Sequence, residues 1–375
     1  MVIFKGSSMG IRQVAVYHVV LRYREPFRIA PGVSTEADNV VVKLITDYGV
    51  VGWGESSPSK RVTGETVETV VRTLDEIGPK LIRMCPLRIE QDVELMDTVV
   101  EGNPAAKAAV DMALHDVLGK TVGKPLFMLI GGYRTEVLTD ITLGIKSAKG
   151  MAGDAAKAVR KGFRALKVKL GTDPAEDVER VRAVREAAGD DVQIRVDANQ
   201  GWTVKQAVDV LNKIEKYKIQ FAEQPVSAQD IKGLREVRRN SPIPIMADES
   251  VHSPRDALRL IRAEAVDLIN IKLMKCGGIL NGRKIAEVAE AARVPCMIGC
   301  MSESEIGIAA AAHLAAGVKN IQYADLDSDL LLKDKLVKKG GAGVKDSART
   351  FSKICGLGVE EINAELLGKP TKLYK

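Results

Sequence analysis

The chain reads as an α/β protein, a barrel of parallel strands with helical crossovers preceded by a small α+β capping domain. Three observations predict this. From about residue 133 short apolar runs alternate with amphipathic stretches, strand then helix, eight times over. Five of the runs end in a charge: Lys169 in ALKVKLG, Asp197 in IRVDANQ, Glu223 in IQFAEQP, Asp248 in IPIMADE and Lys272 in LINIKLMK, at spacings of 28, 26, 25 and 24 residues. That interval holds one strand, one helix and two loops. Each charge therefore falls at the C-terminal end of a successive parallel strand, the rim where barrel enzymes keep their chemistry. Finally, 375 residues exceed one ordinary domain and suit a barrel plus a smaller unit.

The first unit is expected over 1–132. Its first eight residues read as a tail. QVAVYHVVLRY and NVVVKLITDYGVVGWGE are β-branched, with Asp47-Tyr48-Gly49 as the hairpin turn between two strands. Residues 65–131 are helical in period, and AAKAAVDMALHDVLGKTVG sets Ala109, Met112, Ala113 and Val117 on one face. Gly123, Pro125 and Gly131-Gly132 end that block. The barrel is expected over 133–330. Its strands fall at 137–144, 164–170, 192–197, 219–223, 243–247, 267–272, 295–300 and 319–325. Thr172-Asp173-Pro174 and Ser253-Pro254 mark helix starts by cap and first-turn proline. Past 330 the chain turns Gly- and Lys-rich. Its densest basic stretch, 333–353, reads as a solvated loop and a short helix follows near 358–367, in a segment (331–375) expected to pack back on the capping domain.

Composition excludes several function classes. A net charge of +6 spread over this length is a mild bias, not the clustered basic face of a nucleic-acid binder. No run approaches the roughly 18 consecutive apolar residues of a membrane span, and the N-terminus lacks a signal-peptide core. The five cysteines are scattered, without the pairing of a disulfide framework, so a reducing cytoplasm is expected.

Asp197, Glu223 and Asp248 come from three consecutive strands, so their carboxylates can converge at the barrel mouth. Three hard oxygen ligands without histidine suit Mg²⁺, or Mn²⁺, better than zinc. Lys167 and Lys169, two apart on one strand, point the same way. A second ammonium beside the first is expected to lower a lysine pKa and make it a usable base. Lys272 comes from the far side of the barrel. A carboxylate bound to a cation between opposed lysines has an α-carbon that either can reach, and the concentrated positive charge makes its proton removable.

This constellation resembles the enolase superfamily, whose base-plus-Mg²⁺ logic is well known, and within it the muconate-lactonising branch. The resemblance covers most of the chain, in GWGES (52–56), AAKAAVDMALHDVLG, LIGGY, LKVKLG, DANQGW, EQP, MADES and INIKLMKCGGI. It implies a (β/α)7β-type modified TIM barrel, with a capping-domain loop around 22–36 closing over substrate. By the same resemblance Asp197, Glu223 and Asp248 are metal ligands, Lys169 and Lys272 the acid/base pair, and Lys167 an auxiliary cation. Homo-oligomers are also implied.

YADLDSD sets Asp325 and Asp327 two apart at the last strand, where paired carboxylates can hold an ammonium group. This is similar to the dipeptide epimerases, which grip the substrate's free N-terminus in that way. Cycloisomerases, o-succinylbenzoate synthases and N-succinyl amino acid racemases share the metal and lysines but need no ammonium site. In relatives acting on Ala-Glu, an arginine in the capping loop meets the glutamate. That position falls near Gly32 in FRIAPGVST, with Arg28 close by. An apolar or uncharged second residue is therefore expected, in a pocket also lined by Cys300, Met301 and Ser302.

Overall fold

A computed structural model describes residues 9–351 and 354–375; the N-terminal tail expected from the sequence lies outside them. The N-terminal sheet is antiparallel: β1 (Ile11–Ile29), β2 (Gly32–Thr46) and β3 (Val51–Ser56) pair in order, and the last strand of the chain, Lys372–Tyr374, adds to the free edge of β1. Alternation explains why both faces are apolar. Val14, Val16, Val40, Val42 and Leu44 pack against the domain's own helices, whereas Ala15, Tyr17, Val19, Val41 and Trp53 join the cluster that runs into the barrel.

Three helices follow, Val67–Leu81, Ile89–Val99 and Pro104–Val122. The third is buried on nearly every side, wider than the single apolar face read from its sequence, because it is wedged between β3 and the barrel. GWGES permits that approach: a Cβ on Gly54 would lie 1.9 Å from the Ala109 carbonyl oxygen.

After a short strand β4 (Glu136–Leu138) come the eight parallel barrel strands. They are β5 (Ile141–Leu143), β6 (Ala165–Lys169), β7 (Gln193–Asp197), β8 (Ile219–Glu223), β9 (Ile245–Ala247), β10 (Leu268–Lys272), β11 (Cys296–Gly299) and β12 (Ile321–Asp325). Seven of the eight expected strands are found within a few residues; the first, 137–144, is split into β4, which joins an antiparallel sheet, and β5, which enters the barrel. The predicted caps also form: Asp173 accepts from the Ala175 and Glu176 amides, and Ser253 from the Asp256 amide.

The ring is nearly closed. Between β12 and β5 the ladder gives way to single bonds: Asp140 N–H to the Ala324 carbonyl, Leu326 N–H to the Thr139 hydroxyl, and Thr142 N–H to the Asp327 carboxylate at 2.5 Å. Inside the barrel Phe221, Met246, Leu268, Met297 and Tyr323 form an apolar plug, and the Arg195 guanidinium lies over the Phe221 and Tyr323 rings while pairing with Asp140. The charged rim thus stands on a packed floor.

The C-terminal stretch differs from its sequence reading. Where 333–353 suggested a solvated loop, short strands run over Val337–Gly340, Ala342–Lys345 and Ala348–Phe351, and the helix expected near 358–367 is a strand, Val359–Ile362, followed by a single turn, Ala364–Leu367. Four-residue strands are too short to display a period. Arg349, in the middle of this basic segment, is fully buried and paired with Asp329.

Candidate active site

Each functional side chain sits where strand alternation sends it. In β6, Leu166 and Val168 join the apolar cluster, while Lys167 and Lys169 meet the acidic side chains of the ring. Lys167 Nζ lies 2.7 Å from Asp325 Oδ2, 2.8 Å from Glu223 Oε2 and 3.1 Å from Asp197 Oδ2. Lys169 Nζ is 2.7 Å from Asp197 Oδ2 and 3.1 Å from Asn199 Oδ1. Lys272, four strands away in a ring of eight and so diametrically opposite, donates to Asp248 Oδ2 at 2.7 Å. Asn270, two residues before it, holds Glu223 Oε1 at 2.8 Å. The structure therefore brings together all three lysines, Asp197, Glu223, Asp248 and Asp325.

The carboxylates of Asp197, Glu223 and Asp248 are buried, and one oxygen from each lies within 4.8 Å of the others. That is compact enough for a divalent cation, and the donors are hard oxygens throughout. Burial, reinforced by Asp197, pushes the Glu223 carboxyl up to about 8. At Asp248 burial acts in the same sense, but Lys272, Lys275 and Lys167 outweigh it and hold the group well below its ordinary range.

The lysines correct one expectation. With Lys167 and Lys169 side by side, one ammonium was to lower the pKa of a lysine of the pair. Burial does push Lys167 down, but the carboxylates of Asp325, Glu223, Asp197 and Asp248 outweigh it and raise the group well above the usual lysine value. Lys272 is raised as well: burial lowers it, but the carboxylates of Asp248, Glu223 and Glu249 together outweigh that.

A second acidic group lies beside the first. Asp327 accepts from Thr142 N–H, and the Cys300 thiol is 3.8 Å from its other oxygen. Thr142 Oγ1 is 3.3 Å from Asp325 Oδ1. Burial and the neighbouring Asp325 raise Asp327 to about 7. Asp325 is also buried, but Lys167, Lys169 and Lys272 hold it down to about 2.

The loop after β11 is tied to the N-terminal domain. Ser302 bonds the Tyr23 hydroxyl at 2.7 Å, its carbonyl accepts from Asn39, and its amide donates to Ser57. Met301 donates its amide to Glu303. Glu55, the acid of GWGES, accepts from Ser304 and from Gly307 N–H, at the start of the barrel helix Glu305–Gly317. Arg28 is exposed and lines a cavity of about 680 Å³ together with Phe27, Gly144, Lys146 and Thr142, the residue that also meets Asp325 and Asp327. Gly32 is met by a residue that the sequence reading did not single out: a Cβ there would lie 2.9 Å from Arg61 Nη1, and the Arg61 guanidinium donates to the Pro31 carbonyl.

Other site residues also escaped the sequence reading. Lys275, entirely buried, donates to Asp248 Oδ1 at 2.6 Å. Asn199 links Lys169, Asp197 and Glu249. The signals for Lys275 were its inclusion in INIKLMKCGGI and its place three residues after Lys272, one helical turn on.

Comparison with known proteins accords with this geometry. The N-terminal domain model of the mandelate racemase / muconate lactonizing enzyme family matches residues 11–131, and the enolase C-terminal domain-like model matches residues 150–365. The chain is 44% identical over 352 residues to a hydrophobic dipeptide epimerase of Enterococcus faecalis, covering 94% of this chain and 99% of that one. A crystal structure of dipeptide epimerase from that organism, complexed with Mg and L-Leu-L-Tyr, superposes with a TM-score of 0.91 at 43% identity, over 94% of this chain and all of that one. An L-Ala-D/L-Glu epimerase of Clostridium acetobutylicum is 42% identical, over 95% of this chain and 100% of that one. An N-succinyl-L-Arg/Lys racemase of Bacillus cereus is 37% identical, over 92% and 98%. Sheet order, the two matched domain models and these relatives together make the chain a member of the mandelate racemase / muconate lactonizing enzyme family, in the enolase superfamily.

Proposed function

We propose that the protein is a Mg²⁺-dependent dipeptide epimerase, which removes the α-proton of the C-terminal residue and returns a proton to the opposite face. The observation that carries this reading is the opposition of Lys169 and Lys272 across a ring of eight strands, with buried carboxylates between them. Asp197, Glu223 and Asp248 would hold the cation. Bound there, it supplies Lewis acidity to the substrate carboxylate and offsets the charge of the enediolate. Lys169 and Lys272, which pair with Asp197 and Asp248 here, would face the α-carbon from either side when those carboxylates hold the cation instead, one taking the proton and the other giving one. Lys167 stays among acids and keeps its charge, supporting the developing anion.

Asp325 and Asp327 would grip the free ammonium of the dipeptide, and this separates the reading from N-succinyl substrates, which have no such group. Cys300, Met301 and Ser302 would border the same pocket. With no side chain at Gly32, an apolar or uncharged second residue is the preferred substrate. One observation favours a second reading. The Arg61 guanidinium against Gly32 could meet an acidic second residue from a different loop.

The test is proton NMR of L,L-dipeptides in D₂O with Mg²⁺, including L-Leu-L-Tyr, L-Ala-L-Glu and an N-succinyl amino acid. Loss of the C-terminal α-proton signal with growth of the diastereomer from the uncharged peptides is the expected result. Exchange confined to L-Ala-L-Glu selects the Arg61 reading. Exchange only in the succinylated compound rejects the dipeptide assignment.

A further inference from the structure

Asp248 is held by two lysines in unlike ways. Lys272, at the end of β10, has one hydrogen-bond partner, Asp248 Oδ2. Lys275 Nζ has three: Asp248 Oδ1, the Asp248 carbonyl and the Asn270 carbonyl. An ammonium group has three N–H donors, so Lys275 is saturated, and its side chain has no exposed surface. It rides on the single turn Leu273–Cys276 directly after β10. That turn is anchored beyond its end. Gly278 has φ of 116°, and a Cβ there would lie 2.3 Å from Asp111 Oδ2; the Ile279 amide donates to the same carboxylate, on the helix Pro104–Val122. Lys272 can leave Asp248 by breaking one bond. Lys275 cannot leave without stranding a buried charge and three acceptors.

We propose that Lys275 is a positioning residue that makes Asp248 a one-oxygen ligand, and so biases the metal site toward small six-coordinate cations. With Oδ1 kept by Lys275, the Asp248 oxygen left for a metal is Oδ2, the one that Lys272 can release. Mg²⁺ and Mn²⁺ accept single oxygens in an octahedral set, whereas Ca²⁺ gains from carboxylates that offer both oxygens. Lys275 thus excludes the larger ion without touching substrate or metal.

The inference rests on the reading of Asp197, Glu223 and Asp248 as the metal site, and calorimetry with Mg²⁺ and Ca²⁺ separates the two. If the full-length protein binds neither ion, the metal site itself is refuted. If it binds Mg²⁺, the comparison passes to Lys275→Met, similar in length and uncharged. The ratio of the Ca²⁺ to the Mg²⁺ dissociation constant should fall about tenfold or more in that variant. A merely structural role would weaken both ions alike, and an unchanged ratio overturns the proposal. Should Lys275→Met not fold, a crystal structure of the unmodified protein with Mg²⁺ decides. One Asp248 oxygen on the metal with Lys275 still on the other sustains the role; two oxygens on the metal, or Lys275 detached, ends it.

Discussion

Two carboxylate clusters share the barrel mouth, and they are bound in opposite manners. Asp197, Glu223 and Asp248 are surrounded by the ammonium groups of Lys167, Lys169, Lys272 and Lys275. Of Asp325 and Asp327, Asp325 pairs with Lys167, which the first cluster also uses, whereas Asp327 is met by a backbone amide and a thiol. The first cluster is balanced by positive charge from its own chain. The second is left with an acid whose proton is retained to about 7. Charge balance therefore separates a group already matched by lysines, which the proposed function has exchange them for a divalent cation, from one with capacity for a further cation, as proposed for a substrate ammonium.

The largest expected effects come from breaking the first cluster. Asp248→Asn should abolish Mg²⁺ binding in calorimetry and reduce α-proton exchange by about 10³-fold or more, a barrier increase of about 4 kcal/mol. Lys169→Met and Lys272→Met should each stop epimerisation to a similar degree. Each should nonetheless retain deuterium exchange from one diastereomer, with the surviving diastereomer opposite in the two variants; NMR with L,L and L,D substrates reads this. Breaking the second cluster should cost less. Asp325→Asn and Asp327→Asn should each lower kcat/KM for dipeptides by about 10–100-fold, the range for losing a charged hydrogen bond, while Mg²⁺ affinity stays within about twofold.

The smallest effect lies outside both clusters. Burial and the nearby Glu55 raise Glu303 to about 8 from its ordinary 4.5. The folded state holds that proton more tightly than the unfolded chain, so stability contributed by Glu303 falls as pH rises between those values and is level above. Melting curves of the full-length protein should show the midpoint dropping by a few degrees from pH 6 to pH 9. Glu303→Gln should flatten part of that slope.

Strand-end charges were legible because the barrel repeats them at nearly even intervals, and a side chain two residues from another on a strand keeps its direction. Lys167, Lys169, Asp197, Glu223, Asp248 and Lys272 all follow from that rule. Lys275, Asn199 and Arg61 do not. Their positions depend on a single helical turn, on a left-handed residue after a strand (Asn199 has φ of 43°) and on a loop of another domain. Neither periodicity nor spacing encodes a contact made through space. The same limit hid the clasp of Glu55 on the helix after β11; the strands of the C-terminal segment were hidden by their four-residue length.

Because the ring between β12 and β5 is joined at Thr142 through the Asp327 side chain, one carboxylate serves both as a joint of the scaffold and as a candidate hand on the ligand. An architecture of this kind carries its own gauge. The protection of a single amide hydrogen, that of Thr142, reports how firmly the last strand is moored to the first.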